Sequence, residues 1–235
     1  MIVDFHSHIL PGIDDGSGSM EESVEMLRAM KQQGISGVVA TPHFYASHDY
    51  PEKFLKRRQE AFERLRDAIC DEELPQVYTG AEVAYFHGMS RSDALEDLVI
   101  AGTRAVMVEM PVGTWTQSMY DELERIHTVR GLVPVVAHVD RYLSPLRSFG
   151  IPDNLARLPV LVQANANFFL RKNTARKALG MLRKEQIHLL GSDCHNMSQR
   201  PPNLGAAVEI IKNNLNEEAL LKIQGWQTEV LNRNV

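Results

Sequence analysis

The chain has 235 residues, 44% hydrophobic and 23% charged, with a formal net charge of −5 and a pI near 6.0, a length that can bury one substantial core and suits a single barrel domain over residues 1–235. The acidic balance argues against an electrostatic grip on nucleic acid, and no apolar run approaches the roughly 18 residues of a membrane span. Asp14 and Asp15 follow too soon for a secretory signal, and two cysteines, Cys70 and Cys194, make no disulfide framework, so a cytoplasmic protein with no membrane insertion is expected.

Short β-rich runs alternate with helical patterns along the chain. Residues 2–8 (IVDFHSH) read as a strand, in which positions i and i+2 face the same side, so His6 and His8 can present two imidazoles to one point. SMEESVEMLRAMKQQG follows as a helix: Ser19 and Glu22 have capping-box spacing, Val24, Leu27 and Met30 recur on one face, and Gly34 supplies the stop. Residues 37–43 form the second strand, followed by a helix over about 52–71, where the basic run KFLKRR reads as a solvated face. The third strand spans 76–86, with a shorter helix around 93–99, and the fourth spans 104–110, before a helix stopped by Gly131. Residues 133–139 are the fifth strand, 159–168 the sixth, with a helix over about 174–184, and 187–195 the seventh, before two closing helices. Apolar runs flanked by helices mark parallel strands covered on both faces, and about seven such units suggest a (β/α) barrel. Periodicity leaves a doubly wound open sheet as the alternative.

The ionisable residues fall at particular places in these runs. His6 and His8 end the first, His43 the second, Glu109 nearly ends the fourth, His138 the fifth, and Asp193 and His195 the last, while Glu82 lies within the third. In barrels the carboxyl ends of the strands converge on one face, so these groups would gather at one mouth, joined by Asp15 from the first loop. A lone histidine is usually a hydrogen-bonded boundary residue. As a set, these imidazoles and carboxylates would be an electrostatic liability unless cations neutralised them. Nitrogen and oxygen donors without thiolate favour manganese, iron or zinc. Asp15, Glu82, Glu109 and Asp193 carry −4 of the formal −5, so a loaded site would draw an anion. His48, His87, His127 and His188 lack this placement and read as ordinary histidines.

HSH at 6–8, DDG at 14–16, TPH at 41–43, GAE at 80–82, VEM at 108–110, AHVDR at 137–141 and GSDCHN at 191–196 together resemble the PHP (polymerase and histidinol phosphatase) superfamily. Within it the chain is most similar to the bacterial tyrosine phosphatases of capsule and exopolysaccharide operons, the CpsB/CapC family, and RPP at 200–202 also resembles that branch. The resemblance implies a distorted (β/α)7 TIM-like barrel and three divalent metal ions, Mn2+ foremost, with Fe or Zn as alternatives. By that resemblance His6, His8, Glu82 and Asp193 would hold one metal, Glu82, Glu109 and His138 a second, and Asp15, His43 and His195 a third. Asp15 is preferred to Asp14 because the family motif places its ligand immediately before the glycine.

The expected chemistry is hydrolysis of phosphotyrosine by a metal-bridging hydroxide attacking phosphorus in line, with Arg141 and Arg200 clamping the phosphate as guanidinium forks. A tyrosine leaving group, with a pKa of about 10, needs little help from a general acid, and none is nominated. The aromatics that follow the ligands, Phe44, Tyr45, Tyr85, Phe86, Trp115, Tyr142, Phe168 and Phe169, could wall a phenyl pocket, although ordinary loop packing explains any one of them better. The family implies a protein partner, a bacterial autophosphorylating tyrosine kinase with a tyrosine-rich tail. A small-metabolite phosphatase acting on histidinol phosphate would use the same metals, and a metal-stabilised binding module is a weaker alternative. CHNMSQR, residues 194–200, has the C-x5-R count of cysteine-dependent phosphatases, but the loop lacks glycine and Asp193 would raise the Cys194 thiol pKa. The match is read as coincidental.

Overall fold

In the computed structural model, which describes residues 1–143 and 150–232, β1 (Val3–Ser7) leads to α1 (Met20–Gln32). Next, β2 (Gly37–Ala40) and β3 (His43–Phe44) lead to α2 (Pro51–Ala68), and β4 (Gln76–Thr79) and β5 (Glu82–Ala84) to two 3-10 turns, Met89–Arg91 and Asp93–Asp97. Then come β6 (Ala105–Glu109), α3 (Gln117–Arg130), β7 (Val133–Val136), a 3-10 turn (Val139–Tyr142) and α4 (Ile151–Leu155). Last are β8 (Leu161–Asn165), α5 (Ala166–Leu170), α6 (Ala175–Arg183), β9 (Leu189–Gly191), α7 (Leu204–Leu215) and α8 (Glu217–Asn232).

The strands pair in parallel as two runs, β1-β2-β4 and β3-β5-β6-β7-β8-β9. Two interruptions cause the division. Pro42 has no N–H to give a ladder, which breaks β2 from β3, and Gly80 and Ala81 separate β4 from β5. Backbone bonds nevertheless cross the breaks, from Thr41 N–H to Ser7 O (2.8 Å), Gly80 N–H to Ala40 O (2.8 Å) and Glu82 N–H to Pro42 O (3.0 Å). Each broken pair is therefore one strand with a kink, and the expected seven remain. Just beyond β9 the chain returns to β1: Asp193 N–H bonds His6 O (2.8 Å), His8 N–H bonds Cys194 O (2.9 Å), and Ser7 bridges Cys194. The result is a distorted parallel barrel rather than an open sheet.

Alternate strand residues supply two apolar layers, as the two-residue period of a strand requires. Val38, Val106, Val108, Val136 and Val162 pack with helix residues such as Met26, Leu27, Leu123 and Ile126. Phe5, Val39, Met107, Val135 and Leu189 form the second layer, with Trp226 and Val230 of α8 against it. Burying each such side chain contributes about 1.5–3 kcal/mol. Gln227 fastens α8 to the start of β1, donating to Val3 O (2.8 Å) and accepting from Val3 N–H (3.1 Å).

Several local expectations shift. Ser19 caps α1 by accepting Glu22 N–H (3.2 Å), but the Glu22 carboxylate turns to Gly18 N–H (3.0 Å) and Met197 N–H (3.2 Å), so only half of a capping box forms. The helix expected around 93–99 is a 3-10 turn, since so short a segment cannot offset α-helix nucleation. The sixth strand ends at Asn165, three residues early, because Phe168 and Phe169 are drawn into the core as α5. The short helix α4 was not expected. β7 and β9 also stop before their ionisable residues, and His138 (φ 30°) and Asp193 (φ 55°) then take left-handed backbone. Non-glycine residues hold such conformations at a cost, commonly at functional sites.

Candidate metal centre

All nine expected donors meet at the carboxyl mouth of the barrel. His6 Nε2 and His8 Nε2 are 3.3 Å apart. Glu82, 1% exposed, lies between them: its Oε2 is 3.2 Å from His6 Nε2, 3.3 Å from His8 Nε2 and 3.0 Å from His43 Nδ1, and its Oε1 is 2.7 Å from His138 Nε2. Asp193 Oδ1 is 3.6 Å from both His6 Nε2 and His8 Nε2, and Glu109 Oε1 is 3.4 Å from His138 Nε2. Asp15 Oδ1 reaches His43 Nε2 (3.4 Å) and His195 Nε2 (3.5 Å). Among the described residues, three groups bring their ligand atoms within 4.8 Å of one another: His8, Asp15, His43 and His195; His6, His8 and Asp193; and His43, Glu82 and Glu109. They differ from the expected sets in that Glu82 is absent from the group of His6, His8 and Asp193, His8 joins the Asp15 group, and His43 stands where His138 was placed. The reason is Glu82, whose two oxygens face different imidazoles and connect all the groups.

The donor chemistry fits divalent cations. Among the described residues, five of the eight buried polar side-chain atoms without a hydrogen-bond partner belong to these donors: His43 Nδ1, Glu82 Oε2, His138 Nδ1, Asp193 Oδ1 and His195 Nε2. They have close charged neighbours but no well-directed hydrogen bond, although buried polar atoms almost always have one. Two donors each about 2.0–2.2 Å from a shared cation sit roughly 3–3.5 Å apart, close to the spacings above. In the absence of a cation, protonated histidines would supply the compensating charge. Burial opposes charge on His8, but Asp14 and Glu82 outweigh it and raise its pKa to about 10; Glu109 and Glu82 likewise raise buried His138 to about 9. Despite burial, Glu82 and Asp193 are held below the carboxylate range, both by His6 and Asp193 also by Arg141. A bound cation would supply the same positive charge and free the nitrogens.

The two aspartates of DDG divide their tasks. Asp14 Oδ2 accepts from His8 Nδ1 (2.7 Å) and from His43 N–H (3.0 Å), which orients His8, while Asp15 faces the donors directly. Arg141 and Arg200 lie at the mouth, about one third exposed. Arg141 Nη2 is 2.5 Å from Asp193 Oδ2 and its Nη1 3.3 Å from Glu109 Oε1, while Arg200 Nη2 is 2.7 Å from Asp193 Oδ1. Their forks thus rest on anionic oxygens.

The cysteine reading finds no support in this geometry. Cys194 is fully buried, and burial with the Asp4 and Asp193 carboxylates pushes its thiol well above the usual range. The N–H groups of Ser198, Gln199 and Arg200 all turn to Asn196 Oδ1 rather than forming an anion cradle. Of the aromatics, Phe44, Trp115, Tyr142, Phe168 and Phe169 are buried in ordinary packing, and Tyr45, Tyr85 and Phe86 stay partly exposed. His48, His87, His127 and His188 stand apart from the donor groups. Sequence reasoning missed Asp4, which is fully buried and ties β1 to the chain after β9 by accepting His6 N–H (3.2 Å) and Ser192 N–H (2.9 Å). It also missed Gln163 and Asn165, whose i, i+2 amides on a strand entering the mouth were a readable signal.

This distorted seven-stranded parallel barrel, with imidazoles and carboxylates at its carboxyl mouth, has the PHP fold of its structural neighbours. The crystal structures of YwqE from Bacillus subtilis and CpsB from Streptococcus pneumoniae, described as unique metal-dependent tyrosine phosphatases, include a chain that superposes with a TM-score of 0.84 at 22% identity, covering 98% of this chain and 94% of that one. Histidinol phosphate phosphatase from Lactococcus lactis, complexed with zinc, L-histidinol and phosphate, shares the fold more distantly (TM-score 0.59, 12% identity, 93% of each chain). The chain belongs to the CpsB/CapC family of capsular polysaccharide synthesis, whose family model matches residues 2–230. Among relatives, it is 27% identical to tyrosine-protein phosphatase YwqE of Bacillus subtilis, over 92% of this chain and 86% of that one. It is 28% identical to tyrosine-protein phosphatase CpsB of Streptococcus pneumoniae, over 89% of each.

Proposed function

We propose that this chain is a metal-dependent protein-tyrosine phosphatase, a phosphoric monoester hydrolase. The observation that carries this reading is buried Glu82, with four imidazoles within 3.3 Å of its oxygens and its Oε2 unbonded. The relatives named tyrosine-protein phosphatases support the substrate class. His6, His8, Asp15, His43, Glu82, Glu109, His138, Asp193 and His195 would hold three divalent cations, Mn2+ first with Fe or Zn as alternatives, all three suited to nitrogen and oxygen donors without thiolate. When bound, such cations stabilise charge on a phosphoryl group and ionise a water near neutral pH.

The chain's own residues do the rest. Arg141 and Arg200 present N–H donors to the mouth and grip phosphoryl oxygens in place of the carboxylate oxygens they now touch. Tyr45, partly exposed and 5.4 Å from the His43 ring, offers a face to the phenyl group. The phenolate leaves without a strong acid. We extend the reading to a cytoplasmic role on a bacterial autophosphorylating tyrosine kinase in capsule or exopolysaccharide synthesis, in keeping with a family of capsular polysaccharide synthesis.

The test is a phosphatase assay of metal-stripped protein with single cations restored, on phosphotyrosine peptide, phosphoserine peptide and histidinol phosphate. The expected result is activity only with added cation, and fastest turnover of phosphotyrosine. Preference for histidinol phosphate would move the assignment to a metabolite phosphatase, and no turnover of any of the three would leave a binding module.

A further inference from the structure

β8 is the barrel strand that delivers no imidazole or carboxylate to the mouth; it delivers two amides instead. Gln163 is fully buried and Asn165 6% exposed, two residues apart and so on one face of the strand. Gln163 Oε1 accepts the backbone N–H of His138 (2.6 Å) and lies 3.2 Å from His6 Nδ1. Gln163 Nε2 donates to Asn165 Oδ1 (3.0 Å), and Asn165 Nδ2 donates to Asp193 Oδ2 (2.9 Å). Asn165 N–H is itself fixed by Asp140 Oδ1 (3.0 Å). The fit is close: a Cβ on Gly191 would stand 2.8 Å from Gln163 Nε2 and 2.5 Å from His6 Cβ, so this crossing of β8, β9 and β1 needs glycine.

The direction of this chain is forced at both ends. A backbone N–H can only donate, so Gln163 must turn its oxygen toward His138 and His6. An ionised carboxylate can only accept, so Asn165 must turn its nitrogen toward Asp193. Because Gln163 Oε1 can only accept, His6 must carry its proton on Nδ1, which leaves the Nε2 lone pair for the site. The two left-handed residues at the mouth, His138 and Asp193, are each held by one end of the pair.

We propose that Gln163 and Asn165 are a positioning pair: a one-way amide relay that sets the tautomer of His6 and the aim of the Asp193 carboxylate for the cation those two residues would share. The proposal rests on the metal reading given above. Hydrogen-bonding partners behind metal ligands typically govern about 10- to 100-fold of affinity.

Two near-isosteric variants test it. Asn165→Asp replaces the donor facing Asp193 with an acceptor, and Gln163→Met removes the acceptor behind His6 while filling its space. Mn2+ affinity, by competition with a fluorescent chelator, should weaken about 10- to 100-fold in Asn165→Asp, with the thermal midpoint of the metal-free protein close to wild type. In metal-free Gln163→Met, the imidazole 15N shifts of His6 should change from the Nδ1–H form to a tautomer mixture. Wild-type Mn2+ affinity in Asn165→Asp, or an unchanged His6 tautomer in Gln163→Met, would overturn the proposal. So would a lower midpoint with unchanged affinity, which marks a purely structural role. If wild-type protein takes up no Mn2+, the metal reading fails, and the tautomer measurement on metal-free protein still judges the relay.

Discussion

Asp14 Oδ2 sits 2.7 Å from His8 Nδ1, while its neighbour Asp15 points its carboxylate at His43 and His195, 3.4 and 3.5 Å away. One aspartate holds a ligand and the next is placed to be one. Asp15→Asn should therefore lower the number of Mn2+ ions bound and cut kcat/KM by about 100-fold or more. Asp14→Asn keeps a hydrogen-bond acceptor for His8, so full Mn2+ occupancy should return at excess metal, with affinity about 10- to 100-fold weaker. Metal analysis beside steady-state kinetics separates the two, and equal stoichiometric losses would contradict the division.

Arg141 and Arg200 take opposite oxygens of Asp193, so either lysine substitution removes a fork without removing a charge. A hydrogen bond to a charged group is worth about 1.5–3 kcal/mol. Arg141→Lys and Arg200→Lys should each lower kcat/KM on phosphotyrosine by about 10- to 100-fold while leaving bound metal unchanged. Wild-type kinetics in both would remove the arginines from phosphate binding.

Chelation and Cys194 discriminate between two chemistries. Burial keeps the thiol protonated. Cys194→Ala should retain turnover in excess Mn2+ and lose about 1 kcal/mol of stability for the vacated volume, whereas a strong chelator should abolish activity of the intact protein. Chelator-resistant turnover that disappears in Cys194→Ala would reverse the assignment.

His188 gives a pH dependence away from the mouth. Its Nδ1 accepts Val162 N–H (3.0 Å) and its ring meets Trp226 edge-on at 5.0 Å. Burial lowers its pKa from 6.5, against a smaller opposing effect of Glu185. The folded state thus disfavours the protonated ring, which cannot accept that bond. The unfolded chain binds the proton first, so stability is full above pH 6.5 and falls as pH drops through the lowered folded value. Thermal unfolding of wild type and His188→Asn should show wild type losing stability relative to the variant as pH falls from 7 to 5. Parallel curves would contradict this.

Much of the barrel, and the convergence of nine imidazole and carboxylate side chains at its mouth, were legible in the sequence, because parallel strands read as apolar runs and the histidines and carboxylates stand at their ends. What was hidden depends on contacts between distant segments. The break at Pro42 looked like the end of a strand, and only Glu82 N–H bonding Pro42 O shows that the strand resumes. The grouping of donors could not be read because Glu82 faces four imidazoles from three other strand ends. Gln163 and Asn165 share one strand face, but amides do not titrate, so their spacing alone gave no hint of which donors they serve.

The most direct measurement is anomalous diffraction from crystals of this protein loaded with Mn2+. Three peaks are predicted, each bonded to imidazole and carboxylate atoms of the nine donors, with Glu82 shared between two of them. No anomalous density among those residues, or Mn2+ held elsewhere on the protein, would contradict the assignment of a metal centre.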